Sequence, residues 1–355
     1  MLKKTSTKVA LSLIPLIAVI KILSLFPTFI ETYYSNGLYL FISKALRLSF
    51  GWLPFSLGDV FYTLGILLII RWFIKNIKRI VTDTKLWFVE LFSVLSIVYF
   101  TFHLFWAFNY YRKPLHENLN LKADYTTEQL LETISILKEK TNALHNQLAK
   151  NDSTKVNYPF NKAFVLEHTL NSYENLWKTY PNLKYTNPSV KKSLLSYPLT
   201  IMGFSGYLNP FTNEAQVNSM IPIYKLPTTT AHEIAHQLGY AAENEANFIG
   251  FLASINNNNI YFKYSGYSFA LRHCLGELFK RDPETYYEVA QTINKGIYKN
   301  YKEVRDFWDS HKNFTEPIFK ETYSTFLKAN NQSKGIKSYS YVVALYVNYF
   351  TNKNL

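Results

Sequence analysis

The sequence predicts a mainly α-helical protein, in which an N-terminal three-helix transmembrane anchor precedes a mostly helical α+β domain. Two observations support this fold class. Apolar residues crowd about the first 110 of the 355 positions, whereas Lys, Asn, Glu and Tyr dominate the rest. After about Arg112 the apolar residues follow a helical period, with one turn-rich interruption. The mean hydropathy of -0.09 averages two unlike parts and describes neither.

Three apolar segments make up the predicted anchor, at about residues 9–26, 53–74 and 87–108. Each is long enough to cross a hydrocarbon core of about 30 Å. A signal peptide would also explain the first segment, but no small-residue cleavage site follows it and two further segments do. We therefore predict a transmembrane anchor over residues 1–110 and an extracytoplasmic domain over residues 111–355.

The basic residues of the short connections predict the orientation of the anchor. Cytoplasmic loops of membrane proteins carry an excess of Lys and Arg. The end of the second segment and its connection to the third contain Arg71, Lys75, Lys78, Arg79 and Lys85, whereas the preceding connection contains only two basic residues. The sequence therefore predicts a multi-pass protein of a bacterial cytoplasmic (inner) membrane, with the lipid bilayer as a partner and the C-terminal domain outside the cytoplasm.

The charge and cysteine content narrow the classes of function. The net charge of +13 comes mostly from scattered Lys residues, without a basic stripe or a nucleic-acid-binding module, so we predict no nucleic-acid partner. Cys274 is the only cysteine of the sequence. It cannot form an intramolecular disulfide, and any metal site has to use His and carboxylate ligands.

The domain after the anchor is predicted to be helical around one small β element. A helix is expected from about Thr127 to Lys150, begun by the capping box Thr126–Gln129. A second helix is expected from about Phe160 to Tyr180. Residues 196–222 are rich in turn formers and short extended runs, and they predict a hairpin or an irregular sheet. Helices resume at about Thr228.

The segment His232-Glu233-Ile234-Ala235-His236 predicts a zinc site. Histidines four residues apart share one face of a helix, where a single Zn²⁺ can accept both imidazoles. Glu233 would then lie beside the metal, where its carboxylate can act as general base and later as general acid. In the alternative interpretation, Thr230 and Glu233 form a capping box and the histidines are surface or core residues.

A catalytic zinc requires a third protein ligand and an open fourth position. Gly239 is expected to end the helix and to let the next helix return its first turn to the metal. That turn contains Glu243 and Glu245. The run Glu243–Asn247 resembles the Glu-x-x-Ala-Asp pattern of membrane gluzincin peptidases, with Asn247 in place of the aspartate. The resemblance implies that Glu243 is the ligand and that Asn247 supports the site.

A competing alignment to the Asn-Glu-Ala pattern of other gluzincins makes Glu245 the third ligand, and we prefer Glu243. The chain also resembles an uncharacterised family of bacterial membrane proteins, catalogued as a domain of unknown function and placed among the zincin-like peptidases. The resemblance rests on the spanning segments, the stretch 206–212, the core HEIAHQLGYAAENEANF and the stretch 264–267. It implies a zincin-like domain with no established substrate.

Two weaker candidates lie on either side of the zinc motif. Residues 206–218 precede the motif, where a zincin places an edge strand that pairs with an extended substrate, although an ordinary structural hairpin explains them equally well. Tyr267, or Tyr264, is a candidate for hydrogen bonding to the oxyanion of the transition state. Most of the 28 tyrosines must be structural.

These observations together predict a membrane-anchored zinc metallopeptidase, a hydrolase that cleaves peptide bonds of periplasmic or membrane-proximal polypeptides. The alternative is a non-catalytic membrane protein with a structural or peptide-sensing zinc site. An open coordination position and turnover that depends on Glu233 would favour the enzyme. A fourth protein ligand, for example both glutamates bound, would favour the structural site.

Overall fold

The computed structural model describes residues 2–332, 335 and 341–352, and they are mostly helical. The membrane-facing part contains α1 (Leu2–Leu11), α2 (Leu13–Leu23), α3 (Pro27–Phe29), a π-helical segment (Ile30–Leu38), α4 (Tyr39–Phe50), α5 (Leu57–Asn76), α6 (Arg79–Thr82) and α7 (Thr84–Phe105). The rest contains α8 (Leu115–Asn118), α9 (Thr127–Leu148), α10 (Lys162–Thr179), α11 (Ser196–Met202), α12 (Leu226–Gln237), α13 (Glu243–Ile255), α14 (Ile260–Arg281), α15 (Pro283–Ala290), α16 (Lys295–Asp309), α17 (Glu316–Ala329) and α18 (Val342–Asn352).

Among the described residues, three helices are long and apolar enough to cross a membrane, namely Thr5–Leu23, α5 and α7, as expected of a membrane protein. The second span begins at Leu57 and not at residue 53, because the Ser56 hydroxyl caps it by accepting the amide N–H of Asp59 at 3.0 Å. The third span ends at Phe105 and not at residue 108, because the chain continues as a 3₁₀ turn over Ala107–Tyr111.

Residues 27–50 form a continuous helical segment between the first two spans, which the sequence did not predict. We call this segment the reversed helix. It buries the charged side chains of Glu31 and Arg47, whereas Phe41 is 75% exposed and Tyr33 65% exposed. Lys44 is its only exposed charged residue, and all of residues 27–50 belong to the described part of the chain. The arrangement is the opposite of what an aqueous solvent favours.

The sheet has three strands in the order β1-β3-β2, formed by β1 (Val190–Lys192), β2 (Gly206–Asn209) and β3 (Glu214–Val217). β2 and β3 are the antiparallel hairpin expected within residues 196–222, and β1 joins β3 in parallel. Residues 196–202 are α11 and not extended chain, since Gly203, at a φ of 83°, ends a short helix there. The prediction did not include β1.

The membrane-facing part and the domain share one packed interior around α12. The Tyr39 hydroxyl donates to the carbonyl of Gln237 at 3.0 Å, and the Trp106 indole N–H donates to the carbonyl of His236 at 3.3 Å. The carboxylate of Glu214 accepts the amide N–H of Gly58 at 2.6 Å, at the first turn of α5. The boundary at residue 110 therefore does not separate two independently packed units, and these contacts argue against independent folding of residues 111–355.

Candidate metal centre

α12 carries the two histidines of the zinc motif on the face opposite to the core. Ala231, Ile234 and Ala235 are fully buried in the main hydrophobic cluster. His232 and His236 lie one turn apart on the other side, with ring centroids 4.6 Å apart and ring planes at 87°. The spacing of apolar and histidine residues in the sequence therefore corresponds to the two faces of the helix.

The turn after α12 brings the next helix back towards the histidines. Gly239 has a φ of 85°, a left-handed conformation that favours glycine. A Cβ atom at this position would also lie 3.0 Å from the Tyr39 ring and 3.0 Å from Asn109 Oδ1. α13 then begins at Glu243. The expected turn at Gly239 is confirmed, while the return of α13 to a metal stays a prediction.

Three atoms converge at the start of α13. Glu243 Oε2 lies 3.2 Å from His232 Nε2 and 3.7 Å from His236 Nε2. Despite these distances, Glu243 Oε2 has no hydrogen-bond partner among the described residues. Tetrahedral zinc with bonds of 2.0–2.1 Å separates its ligand atoms by about 3.3 Å. The two imidazoles and the carboxylate therefore fit a Zn²⁺ ion in both spacing and ligand type.

The electrostatics of this cluster favour a carboxylate at Glu243. Burial alone would raise the pKa of the Glu243 carboxyl, but His232 and His236 outweigh burial and hold its pKa well below the usual range. Burial alone would likewise lower the pKa of His236, and Glu243 instead raises it to about 9. The buried Glu243 carboxylate thus favours a positive charge beside it, which a protonated imidazole supplies here and which a bound cation could supply in its place.

Glu233 is a second buried carboxylate at the centre. Ligand atoms of His232, Glu233 and His236 lie within 4.8 Å of one another. Glu233 Oε2 has no hydrogen-bond partner within the described ranges. Burial raises the pKa of Glu233 above its usual value, although the two imidazoles oppose the shift. The side chain also lies against β2, because a Cβ atom at Gly206 would be 2.6 Å from Glu233 Oε1.

Contacts from outside the motif orient His236. Its Nδ1 lies 2.7 Å from the carbonyl oxygen of Tyr240, which leaves Nε2 facing Glu243. The ring of Trp106, just after the third span, meets the His236 ring edge-on with centroids 5.9 Å apart. A hydrogen bond from the second ring nitrogen to a carbonyl is the usual support of a metal-binding histidine.

The structure separates the two candidate third ligands. Glu245 Oε1 accepts the amide N–H of Leu115 at 2.7 Å, and the side chain lines a different cavity from the one that contains the histidines. Burial raises the pKa of Glu245 to about 7, against the opposing effects of Leu115 and Arg112. The geometry therefore favours Glu243. Asn247 lies one helical turn after Glu243 and lines the same cleft as the histidines.

The tyrosine at the centre is Tyr323 and not Tyr267. The Tyr323 hydroxyl donates to Glu243 Oε1 at 2.5 Å. Tyr267 instead packs against Phe251, with ring centroids 6.1 Å apart, and it does not line the cleft. Tyr264 is buried, and its hydroxyl donates to Asn300. Tyr323 lies on α17, far from the motif in sequence, and no local pattern distinguishes it from the other tyrosines.

The centre opens into a cleft of about 1080 Å³. β2, one of the two edge strands of the sheet among the described residues, lies along it. Lys225 also lines the cleft and donates to the Ser205 hydroxyl at 2.8 Å. Burial lowers the pKa of Lys225 to about 8. The sequence analysis did not single out Lys225, and its place just before α12 is the only signal that could have found it.

Comparison with known proteins gives one match. No curated protein and no solved structure matches the chain. A family profile described as "Protein of unknown function (DUF3810)" matches residues 34–347. That description names no activity and makes no connection to zincin-like peptidases, so the predicted zincin relationship stays a prediction. Because the match covers most of the sequence, the chain belongs to this family of proteins of unknown function.

Proposed function

We propose that the protein is a membrane-anchored zinc metallopeptidase that hydrolyses peptide bonds of periplasmic or membrane-proximal polypeptides. The observation that carries the proposal is the convergence of His232 Nε2, His236 Nε2 and Glu243 Oε2 at distances of 3.2 and 3.7 Å. Glu233, a second buried carboxylate without a hydrogen-bond partner on Oε2 among the described residues, lies beside them. Two imidazoles, one carboxylate and a neighbouring free carboxylate are the groups that zinc-dependent hydrolysis requires.

Glu233 has the properties of the proton carrier. A bound zinc ion would polarise a water molecule and the carbonyl of the peptide bond. The Glu233 carboxylate accepts a proton from the attacking water and then donates it to the amine nitrogen as the C–N bond breaks. Burial raises the pKa of Glu233. A raised pKa lies closer to neutral pH, and a carboxyl group with such a pKa both accepts and donates a proton readily.

The surroundings of the centre suit an extended peptide. Within the described part of the chain, β2 pairs only with β3, which leaves its other edge open to a substrate strand. Gly206 on β2 allows the close approach of this strand to Glu233, since any Cβ atom there would lie 2.6 Å from Glu233 Oε1. The Tyr323 hydroxyl donates to Glu243 and so helps to hold this ligand in place within the cleft.

A closed structural zinc site is less consistent with this geometry. Such a site needs a fourth protein ligand. The Glu245 carboxylate accepts the amide N–H of Leu115 and lines another cavity. The remaining side of the centre faces the cleft. With Glu233 acting as the base and not as a fourth ligand, a zinc ion there would keep a position for water or substrate, which favours an enzyme over a structural site.

The proposed location is the inner membrane, with the domain outside the cytoplasm. The first turn of α5 and the end of α7 contact the domain, while Lys75 and Arg79 lie at the opposite ends of these spans. The basic side would face the cytoplasm.

The test compares the detergent-purified protein with its Glu233→Gln variant. We expect both to bind about one zinc per chain, and the variant to lose about 10²- to 10⁴-fold in the cleavage of a mixed peptide library. Zinc content is measured by elemental analysis and cleavage by mass spectrometry. If both proteins bind zinc and cleave at equal rates, Glu233 is not the base. If neither binds zinc, the metal centre itself is refuted.

A further inference from the structure

The cleft at the metal centre is lined by side chains of the membrane spans as well as by the zinc ligands. Ile66 of α5 and Val98 and Phe102 of α7 line the same cavity as His232, Glu233 and His236. Ile66 is 56% exposed and Val98 48% exposed. The cavity therefore continues from the candidate zinc site onto the apolar surface of two helices that are long enough to cross a membrane.

Two ring contacts connect the third span with a zinc ligand. The Phe102 ring lies 6.2 Å from the Trp106 ring, and the Trp106 ring lies 5.9 Å from the His236 ring. On the second span, the Tyr62 ring stacks on Tyr207 of the edge strand β2 at 5.9 Å. A peptide on β2 would thus have apolar side chains of the two spans among the residues that line its cleft.

The reversed helix indicates where the metal centre lies relative to the membrane surface. It exposes Phe41 and Leu48 to the surroundings while burying Glu31 and Arg47. A helix with this distribution is stable where lipid covers its exposed face, since apolar side chains gain nothing from water. The reversed helix follows the first span and precedes the second, so continuity of the chain places it at the membrane surface.

The reversed helix also donates hydrogen bonds directly to α12, the helix that carries the two histidines. The hydroxyl of Tyr39 donates to the carbonyl of Gln237 at 3.0 Å, and Arg47 Nη1 donates to the same carbonyl at 3.3 Å. Gln237 is the residue after the zinc ligand His236. The zinc centre therefore lies within one layer of side chains of a helix whose other face is apolar.

We infer that the substrate is a polypeptide whose cleaved bond lies next to an apolar, membrane-embedded segment. The segment enters from the bilayer and lies against Ile66, Val98 and Phe102, while the bond to be cleaved reaches His232 and Glu233. The inference rests on the proposed function and specifies its substrate class. The apolar lining contributed by the spans is the recognition element, because it removes apolar surface of the segment from lipid and water.

The test uses the full-length protein in lipid vesicles and two substrates with one cleavable sequence taken from the peptide library. One substrate is the soluble peptide, and the other carries the same peptide followed by an apolar segment of about 20 residues. Val98→Trp fills the cleft, and Val94→Trp is the matched control, since Val94 lies one turn earlier on α7, is 55% exposed and does not line the cleft.

We expect the tethered substrate to be cleaved at least about tenfold faster than the soluble one, and Val98→Trp to lose about tenfold on the tethered substrate alone. Val94→Trp should leave both rates within about twofold. Ile66→Trp, which fills the cleft from α5, repeats the experiment if Val98→Trp is not folded, as judged by its zinc content.

The outcomes separate the two proposals. Failure of the parent protein to cleave either substrate contradicts the proposed function. Cleavage of both substrates at equal rates, or an equal loss on both substrates in a zinc-loaded cleft variant, overturns the inference and leaves the peptidase intact. Release of fatty acid from the vesicles in place of peptide cleavage would identify a lipid as the occupant of the cleft and would also overturn the inference.

Discussion

The reversed helix and α9 are of similar length and bury opposite kinds of residue. α9 buries Leu130, Ile134 and Leu137 in the main core and exposes charged residues such as Glu139. The reversed helix buries Glu31 and Arg47 and exposes apolar side chains. Both follow the helical period, so the difference lies in what covers the outer face and not in the pattern itself.

The buried charges of the reversed helix have partners, which makes their burial possible. Arg112 Nη2 lies 2.6 Å from Glu31 Oε1, and Arg112 Nη1 donates to the carbonyl of Gly239 at 2.9 Å. Arg47 donates to Asn213 at 3.2 Å. A buried charge is tolerated when it is paired and hydrogen-bonded. These polar contacts lie between the reversed helix and the segments that flank α12.

The strongest test of this comparison is removal of residues 1–110. We expect residues 111–355 to be unstable and to bind much less than one zinc per chain, because α12 loses the hydrogen bonds from Tyr39 and Trp106 to its last turn. A variant that lacks only residues 2–24 keeps the reversed helix and should retain zinc. Elemental analysis and thermal unfolding measure both. A stable, zinc-loaded fragment 111–355 would show that the anchor is dispensable for the centre.

Glu31→Ala tests the buried ion pair of the reversed helix. The substitution leaves Arg112 buried without its partner, with an expected loss of about 3–5 kcal/mol in the free energy of unfolding. Glu303→Ala is the matched control, because the Lys155–Glu303 pair has side chains that are 40% and 36% exposed, and should cost less than about 1 kcal/mol. Denaturant unfolding in detergent measures both. Equal losses would mean that the pair is effectively solvated.

The sequence predicted the elements that have local signals. The capping box of α9, with Thr126 and Gln129, is confirmed, as are three apolar helices of spanning length and a hairpin before the zinc motif. The reversed helix escaped prediction because its exposed apolar face resembles a core face when the surroundings are unknown. β1 escaped because three residues carry too little pattern to indicate a strand.

The residues of the metal centre also divide into those with a local sequence signal and those without one. His232, Glu233, His236 and Glu243 share one continuous motif, and the structure brings them together. Tyr323 reaches Glu243 from a helix 80 residues further along the chain. Only tertiary packing makes this contact, so a single sequence contains no signal for it. Tyr267 is closer to the motif in sequence, but its half-buried ring packs against the core residue Phe251 and not at the centre.

Substitution of Glu243 and of Glu245 tests which of the two carboxylates binds the metal. Glu243→Gln removes a charged ligand, so we expect the zinc affinity to fall by at least about 100-fold. Glu245→Gln should change it by less than about threefold, because burial raises the pKa of Glu245 to about 7 and glutamine resembles the protonated form. Competition with a chelator measures both. Loss of zinc on Glu245→Gln alone would reverse the assignment of the third ligand.

The test with the smallest expected effect places a label on the exposed face of the reversed helix and of α9, where it leaves the buried contacts unchanged. Cysteine at Phe41 of the reversed helix and at Glu139 of α9 would carry the same polarity-sensitive fluorophore, while the native Cys274 is buried and unlabelled. In vesicles, a lipid-borne quencher should quench the label at position 41 at least about threefold more strongly than the label at 139. A water-soluble quencher should give the opposite order. Equal quenching would place both helices in water, and the exposed apolar face of the reversed helix would then need a protein partner to cover it.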